Sequence, residues 1–588
     1  LDYAVHGELS VDGTHVIVMA AGDLGTAAGR LKRLTPAFRV TEPRGGLQAP
    51  VTWPLLVQLG AELGTAWVPG PRLKAWMLAA VIARTDFPEL IAKTSADAPP
   101  PRDYQRDGAR IIAATGRAMI FDDPGTGKTL TTLLGLAELR ARGRLPVAGP
   151  IVVVCPNSVM DAWVATAHRW TDLRAVAWRG SVDRRAKLAG TADMYVVGYA
   201  VARNDAGDRA GALRRLGPAA VVIDECHQIK NPQAAQSKAV RALCKGALSV
   251  IALSGTPITH SSADLFPTLN AMEHGAWPSR ERYVERYIDA VPGDYSDELL
   301  GLNKLREPEF RRVFTGQHRR LAKEDVLTEL PPKVYSVREV ELPAAARKAY
   351  DSMRTDMLAE LPDGQELPAM SVLAQLQRLL QLACASADVS TTTEIVDGEH
   401  GPEEKIHTHV ELKDPSWKVD ALMDVLAERP GKQTLAFAPS ADLVRIAGAR
   451  AAAGGYRVGY VIGGQPAKDR TATIAAFQAG QLDVLCLTTG AGGTGITLTA
   501  ASTVVFLQRP WSFVDASQAE DRAHRIGSEI HKSVEIIDIV AKDSIDSEVR
   551  EILRGKAGAL AELLEDRRIV EQCLGGRDNY TEEDQTSG

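Results

Sequence analysis

The sequence predicts an α/β chain built on two parallel sheets that carry helical insertions, preceded by a small α+β domain. Three observations predict this. Short runs of β-branched and apolar residues fall in two clusters. Helical patterns separate the runs within each cluster, as parallel strands require. A glycine loop stands between an apolar strand end and a helical run.

Residues 1–97 read as strands around His15–Ala20, Phe38–Thr41 and Leu47–Thr52, then helical segments from Pro54 and Pro71. The stretch TSADAPPPR, Thr94–Arg102, is polar and then proline-rich and reads as a linker. The first lobe is expected over 98–333, on the runs IVVV (151–154), AAVVI (219–223) and VIAL (250–253), with a helical insertion at about 260–325. The second is expected over 334–565, on TLAF (434–437), VLCL (484–487) and TVVFL (503–507), with a helical or hairpin insertion at about 345–415. The closing residues 566–588 lack apolar periodicity and are expected to be disordered.

At 588 residues and 45% hydrophobic content the chain can bury several cores. No apolar run approaches 18 residues and no secretory signal opens the sequence, so a cytosolic enzyme is expected, with no membrane partner. Abundant alanine, glycine and arginine suggest a GC-rich coding genome of bacterial or phage type. The six cysteines (Cys155, Cys226, Cys244, Cys384, Cys486, Cys573) form no CxxC pair, which argues against a disulfide framework or a zinc ribbon. A net charge of −6 excludes a wholly basic nucleic-acid binder, so any DNA contact must be local. His400, His407 and His409 lie in an acidic stretch that reads as a solvated hairpin rather than a metal site.

The segment DDPGTGKT, Asp122–Thr129, follows Met119 and Ile120 and precedes the run LTTLLGLAELRAR. Strand, glycine loop and helix N-terminus together make a phosphate cradle. Gly125, Thr126 and Gly127 would wrap the phosphates of ATP, Lys128 would reach the β and γ phosphates, and Thr129 would ligate Mg²⁺. Asp224 and Glu225 end the buried run AAVVIDE. Asp224 can hold Mg²⁺ through water, and Glu225 can orient and deprotonate the attacking water. His227 lies just beyond, and Ser254 and Thr256 in LSGTP follow another buried strand; these three could couple hydrolysis to lobe movement. Cys226 reads as a packing residue.

In QAEDRAHRIG, Arg522 and Arg525 lie three apart and would share one helical face. They suit either arginines that reach a γ-phosphate or a helix surface salt-bridged through Glu520 and Asp521. The glycine-rich run TTGAGGTGITL, which includes Gly495, either lets backbone approach a phosphate closely or is a plain turn.

Taken in order, DYQRDGAR, DDPGTGKT, VVVCPNSV, DECHQIKN, LSGTPI, RRLAKEDVLTELPPK, TLAFAPS, the glycine loop and QAEDRAHRIG resemble the SWI/SNF-type DNA translocases of helicase superfamily two, from Tyr104 to about Leu563. The resemblance implies two RecA-like lobes, ATP with Mg²⁺, adenine reading by Gln105, and tracking along one strand of a duplex. Double-stranded or branched DNA is then the expected partner, and protein partners stay open. Pro124, Thr497 and Ser528 depart from the family pattern without removing a catalytic group. The segment GRLKRLTPAFRVTEPRGGLQAPVTW is similar to the HARP module of fork-remodelling members, with Leu47 where an aromatic is expected.

Ser158, Tyr199, Lys230, Ser440, Gly464 and Thr489 occupy the positions expected to touch DNA phosphates, contacts that position the protein without reading sequence. Trp163 and Trp511 either stack on bases or fill cores. The leading expectation is a translocase that remodels forks, D-loops or four-way junctions. A strand-separating helicase and an ATP-gated clamp are the alternatives.

Overall fold

The computed structural model describes residues 4–551 apart from 21–23, 36, 42–45, 208–210, 258–261, 292–297, 361–365, 369–371, 399–400 and 493–495. Expectations for Gly495, His400 and the closing 566–588 lie outside the described residues. The chain divides into two compact units, Leu1–Val326 and Leu327–Gly588.

The first unit opens with a mixed five-stranded sheet in the order Arg39–Thr41, Gly46–Pro50, His15–Ala20, Val5–Leu9, Trp67–Pro69. Only the pairing of Val5–Leu9 with Trp67–Pro69 is parallel. Helices Leu24–Leu34, Trp53–Leu63 and Pro71–Thr85 accompany it. Val5, Val16, Val18, Leu31, Phe38, Leu47, Leu59 and Leu73 close one apolar core. Helix Trp53–Leu63 starts where Thr52 Oγ1 accepts from the Leu55 N–H (3.2 Å), with Pro54 in its first turn. The strand Val5–Leu9 and the helix Leu24–Leu34 are absent from the sequence reading, because VHGEL and LGTAAGRL carry glycines that mask their periods.

The proline-rich stretch is not a free tether. The N–H groups of Ile91 and Ala92 donate to Glu138 Oε2 (2.8 and 2.7 Å), Ser95 N donates to Trp170 O (3.2 Å), and Trp170 Nε1 donates to Pro99 O (3.1 Å). The residues just before the stretch are thus tied to helix Lys128–Ala141, and Trp170, at the end of helix Met160–Trp170, holds the stretch itself. The N-terminal module also binds the insertion: Trp53 Nε1 donates to Arg312 O (3.0 Å), Gln58 Nε2 to Tyr287 Oη (3.0 Å), and Glu62 pairs with Arg286 (3.2 Å).

The seven-stranded parallel sheet of this unit runs His318–Arg319, Arg117–Ile120, Ser249–Leu253, Ala220–Asp224, Ile151–Cys155, Met194–Gly198, Ala175–Ala177. Its central strands are fully buried, which is why they read as continuous apolar runs. The insertion contains helices such as Arg280–Tyr287 and Glu307–Val313, and also a hairpin, Ile288–Val291 with Glu298–Leu302. Trp277, Tyr283, Tyr287, Phe310 and Phe314 cluster within it, with Phe310 and Phe314 edge to face at 4.7 Å.

The second unit holds a six-stranded parallel sheet in the order Lys333–Val340, Val534–Ala541, Thr503–Phe506, Thr434–Ala438, Val484–Thr488, Val458–Val461. Its insertion has the helices Ala344–Asp356 and Val372–Leu382 and a long antiparallel hairpin, Ser386–Gly398 with Gly401–Lys413. His407 and His409 lie on the second arm of that hairpin.

Helix Trp417–Glu428 is tied to the end of the sheet by a buried ion pair. Lys418 Nζ lies 2.6 Å from Asp546 Oδ2, which also accepts the Ala541 N–H at 2.9 Å. Lys418→Ala leaves that carboxylate without its cation, and the expected loss is about 3–5 kcal/mol of stability. Urea unfolding followed by circular dichroism checks it, and an unchanged midpoint would show that the pair is dispensable.

Candidate active site

Strand Arg117–Ile120 delivers the chain to the loop 121–127, and helix Lys128–Ala141 leaves it. Gly125 (φ 87°) and Gly127 (φ 84°) adopt the left-handed conformation, which turns successive N–H groups inward. Thr126 is buried, and its Oγ1 donates to Asp123 O (2.9 Å). The Lys128 ammonium lies across the loop, donating to Asp122 O (2.8 Å) and Asp123 O (3.2 Å). A phosphate would replace those carbonyls as its partner. Thr129 follows at the helix start, half-buried.

Gln105 sits in the first turn of helix Asp103–Thr115. Its Oε1 accepts from Arg102 N (3.0 Å) and its Nε2 donates to Thr126 O (3.1 Å). A Cβ on Gly127 would come within 2.4 Å of that Nε2 and push the glutamine side chain aside, and the φ of 84° itself calls for glycine. Gln105 therefore braces the phosphate loop in this state, and reading adenine would use its remaining hydrogen-bond capacity.

Residues outside the motif hold the loop from behind. Asp122 and Asp123 are both buried. Arg319 forms a two-pronged ion pair with Asp122, and Arg320 lies 2.5 Å from Asp123. Arg320 also donates to Phe121 O (2.6 Å) and Gly255 O (3.0 Å), joining the phosphate loop to the SGTP loop. Against Pro124 only a glycine fits at 255, since a Cβ there would meet the proline ring at 2.6 Å.

Asp224 ends strand Ala220–Asp224, and Glu225 takes a left-handed conformation (φ 55°) that turns the chain sharply. Trp163 Nε1 donates to Asp224 Oδ2 (2.7 Å), and Tyr199 Oη donates to Asp224 O (2.7 Å). Burial and then the neighbouring Glu225 charge raise the Asp224 pKa to about 6, against the pull of the Trp163 hydrogen bond and the Lys128 charge. Ser254 Oγ lies 3.4 Å from Glu225 Oε2, 3.1 Å from His227 Nδ1, and accepts the Thr256 N–H at 3.0 Å. The three residues expected to couple hydrolysis to movement thus meet at one hydroxyl beside Glu225.

A folded-state pKa above the ordinary 3.8 means that Asp224 costs no stability below about pH 4 and destabilises the fold as pH rises through about 6. Asp224→Asn should then raise the melting temperature of the nucleotide-free chain at pH 7.5 by on the order of 2–4 °C. The gain should vanish near pH 4, and a gain that is equal at both pH values would contradict the assignment.

In the second unit the helix Phe513–Ala523 stops before Arg525. The expected shared helical face is therefore corrected: Arg522 lies in the last turn of the helix and Arg525 beyond its end. They still converge, for Nη1 of Arg522 and of Arg525 donate to Ile496 O (3.5 and 3.3 Å), and Arg525 also reaches Thr497 Oγ1 (3.1 Å). Glu520 and Asp521 instead take Lys333 (3.2 Å each), and Glu520 also takes Arg509 (3.0 Å).

Of the residues expected on DNA, Ser158 lies in the turn after strand Ile151–Cys155, and Lys230 is exposed beyond the acidic pair. Ser440 caps helix Ala441–Ala453 through Leu443 N (3.4 Å), and Gly464 (φ 80°) is exposed. Tyr199 and Thr489 are buried, and the Tyr199 hydroxyl is used at the acidic loop. Trp163 is buried in the apolar core of the first sheet, as one of the two readings expected, and its Nε1 also holds Asp224. Five buried cysteines are unbonded, Cys226 among them. No group of metal-binding side chains and no helix long and apolar enough to cross a membrane occurs among the described residues.

A glycine loop between strand and helix, and an acidic pair on the strand next but one in the same parallel sheet, are the features of a nucleoside triphosphatase. Two family models match the chain: SNF2-related domain over residues 104–388 and helicase conserved C-terminal domain over 417–527. Over these residues the chain is homologous to SWI2/SNF2 ATPases. It is 27% identical over 81% of its length to "ISWI chromatin-remodeling complex ATPase CHR11" of Arabidopsis thaliana, and 25% identical over 79% to "DNA annealing helicase and endonuclease ZRANB3" of Bos taurus. It spans only 44% and 40% of those relatives' lengths. The solved Sulfolobus solfataricus SWI2/SNF2 ATPase core in complex with dsDNA aligns with 83% of this chain and 98% of that one, at 21% identity and a TM-score of 0.37.

Proposed function

We propose that this chain hydrolyses Mg²⁺-bound ATP to move along double-stranded DNA and remodel branched intermediates such as forks, D-loops and four-way junctions. The observation that carries the reading is the acidic loop. Glu225, Ser254 and His227 form one hydrogen-bonded group, and Arg320 ties the SGTP loop of Ser254 to the phosphate loop. Such wiring serves a machine that turns over.

Lys128 would leave the carbonyls of Asp122 and Asp123 for the β and γ phosphates, while Thr129 and Asp224 would hold Mg²⁺. The ion would neutralise charge on the phosphates. Glu225 would take the proton of the attacking water, and Arg522 and Arg525 would stabilise the charge developing on the γ-phosphoryl group. Ser158, Lys230, Ser440 and Gly464 would track phosphates, while buried Tyr199 would stiffen the acidic loop and buried Thr489 would stay out of contact.

Similarity to a relative named as a DNA annealing helicase favours branched or annealing substrates. The N-terminal module, read as HARP-like, would present such a substrate to the lobes. Displacement of a triplex-forming oligonucleotide from duplex DNA tests translocation directly. Release of the third strand with the duplex intact supports the proposal, and strand separation without triplex release would favour a helicase.

A further inference from the structure

Lys333 opens the first strand of the second unit, Lys333–Val340. Its ammonium lies 3.2 Å from Glu520 Oε2 and 3.2 Å from Asp521 Oδ1, consecutive buried residues in the last turn before Arg522. Two residues earlier in the chain, Pro331 O lies 2.8 Å from His524 Nε2, between the two arginines. The segment 331–333 thus grips the arginine-bearing turn on both sides of Arg522.

Successive residues of a helix point about 100° apart, so one cation bound to both Glu520 and Asp521 fixes the rotation of that turn. It also answers an electrostatic question. Two adjacent buried carboxylates attract nearby cations, and Asp521 acts electrostatically on Arg525. Arg509 cannot satisfy both carboxylates, since its Nε is bound to Asp538 (2.7 Å) and its Nη2 takes only Glu520.

We propose that Lys333 is a positioning residue for the arginine pair: it occupies Glu520 and Asp521, so that Arg522 and Arg525 stay directed at the backbone of Ile496 and remain available to a γ-phosphate. This rests on the reading of the arginines given under the proposed function. Without Lys333, the carboxylates capture the arginines and the transition state loses them.

The test is steady-state DNA-stimulated ATPase of the full chain in wild type, Lys333→Met, Lys333→Arg, Lys333→Met with Asp521→Asn, and Lys333→Met with Arg525→Ala. Lys333→Met should lower kcat by about 10–100-fold with KM for ATP within about threefold, as expected for a loss confined to the transition state. Lys333→Arg should retain most activity, Asp521→Asn should restore part of kcat to Lys333→Met, and Lys333→Met should add little to the loss that Arg525→Ala causes by itself. Thermal melts of each variant identify loss of folding, and the Asp521→Asn rescue separates arginine capture from a packing defect. An Lys333→Met kcat within about twofold of wild type, a multiplicative loss with Arg525→Ala, or no rescue overturns the proposal alone. A wild-type chain without ATP hydrolysis overturns the parent reading together with it.

Discussion

Lys128→Ala and Glu225→Gln are each expected to lower DNA-stimulated ATP turnover by about 10²–10⁴-fold or more, while DNA affinity stays within about threefold. The reasons differ between the two. Lys128 supplies a point charge to the phosphates, and without it the loop keeps its shape through Gln105, Arg319 and Arg320. Glu225→Gln keeps the size of the side chain and a contact to Ser254 but removes the proton acceptor. ATP binding should therefore weaken in the first variant and survive in the second. Fluorescent-nucleotide titration and DNA filter binding on both variants check this, and loss of DNA binding in both would refute the separation of the two functions.

Arg525→Ala is the second large effect. Its guanidinium is held by Ile496 O and Thr497 Oγ1, neutral acceptors that it can release to a developing negative charge. Removing an arginine that acts in phosphoryl transfer costs about 10³–10⁵ in rate in related chemistry. The expected result is a kcat lowered by about that factor, with ATP affinity within about fivefold of wild type. A large rise in the ATP dissociation constant with kcat preserved would show a ground-state binder instead.

How much of this was legible depends on the distance over which each feature is encoded. The runs IVVV, AAVVI, VIAL, TLAF, VLCL and TVVFL could be read because strands buried on both faces are made mostly of apolar residues. Lys333–Val340 alternates between half-buried and exposed positions at the sheet edge, and its run KVYSVREV is correspondingly mixed. The phosphate loop and the acidic pair are local motifs and stood out. The Arg319–Asp122 pair joins residues 197 positions apart, and Trp163 reaches Asp224 across 61. No local pattern encodes either, though the paired arginines of RRLAKED beside two buried aspartates were a signal of charge that needed partners. The helix end at Ala523 was hidden for a similar reason, since His524 is drawn off the helix by Pro331 O, a tertiary contact.

Steady-state ATPase measured without nucleic acid and with single-stranded DNA, duplex, fork, four-way junction and RNA, in wild type and in Glu225→Gln, tests the central claim most directly. The account predicts strong stimulation by duplex or branched DNA that disappears in Glu225→Gln. Stimulation by single strands alone, or turnover that is indifferent to DNA, would contradict it.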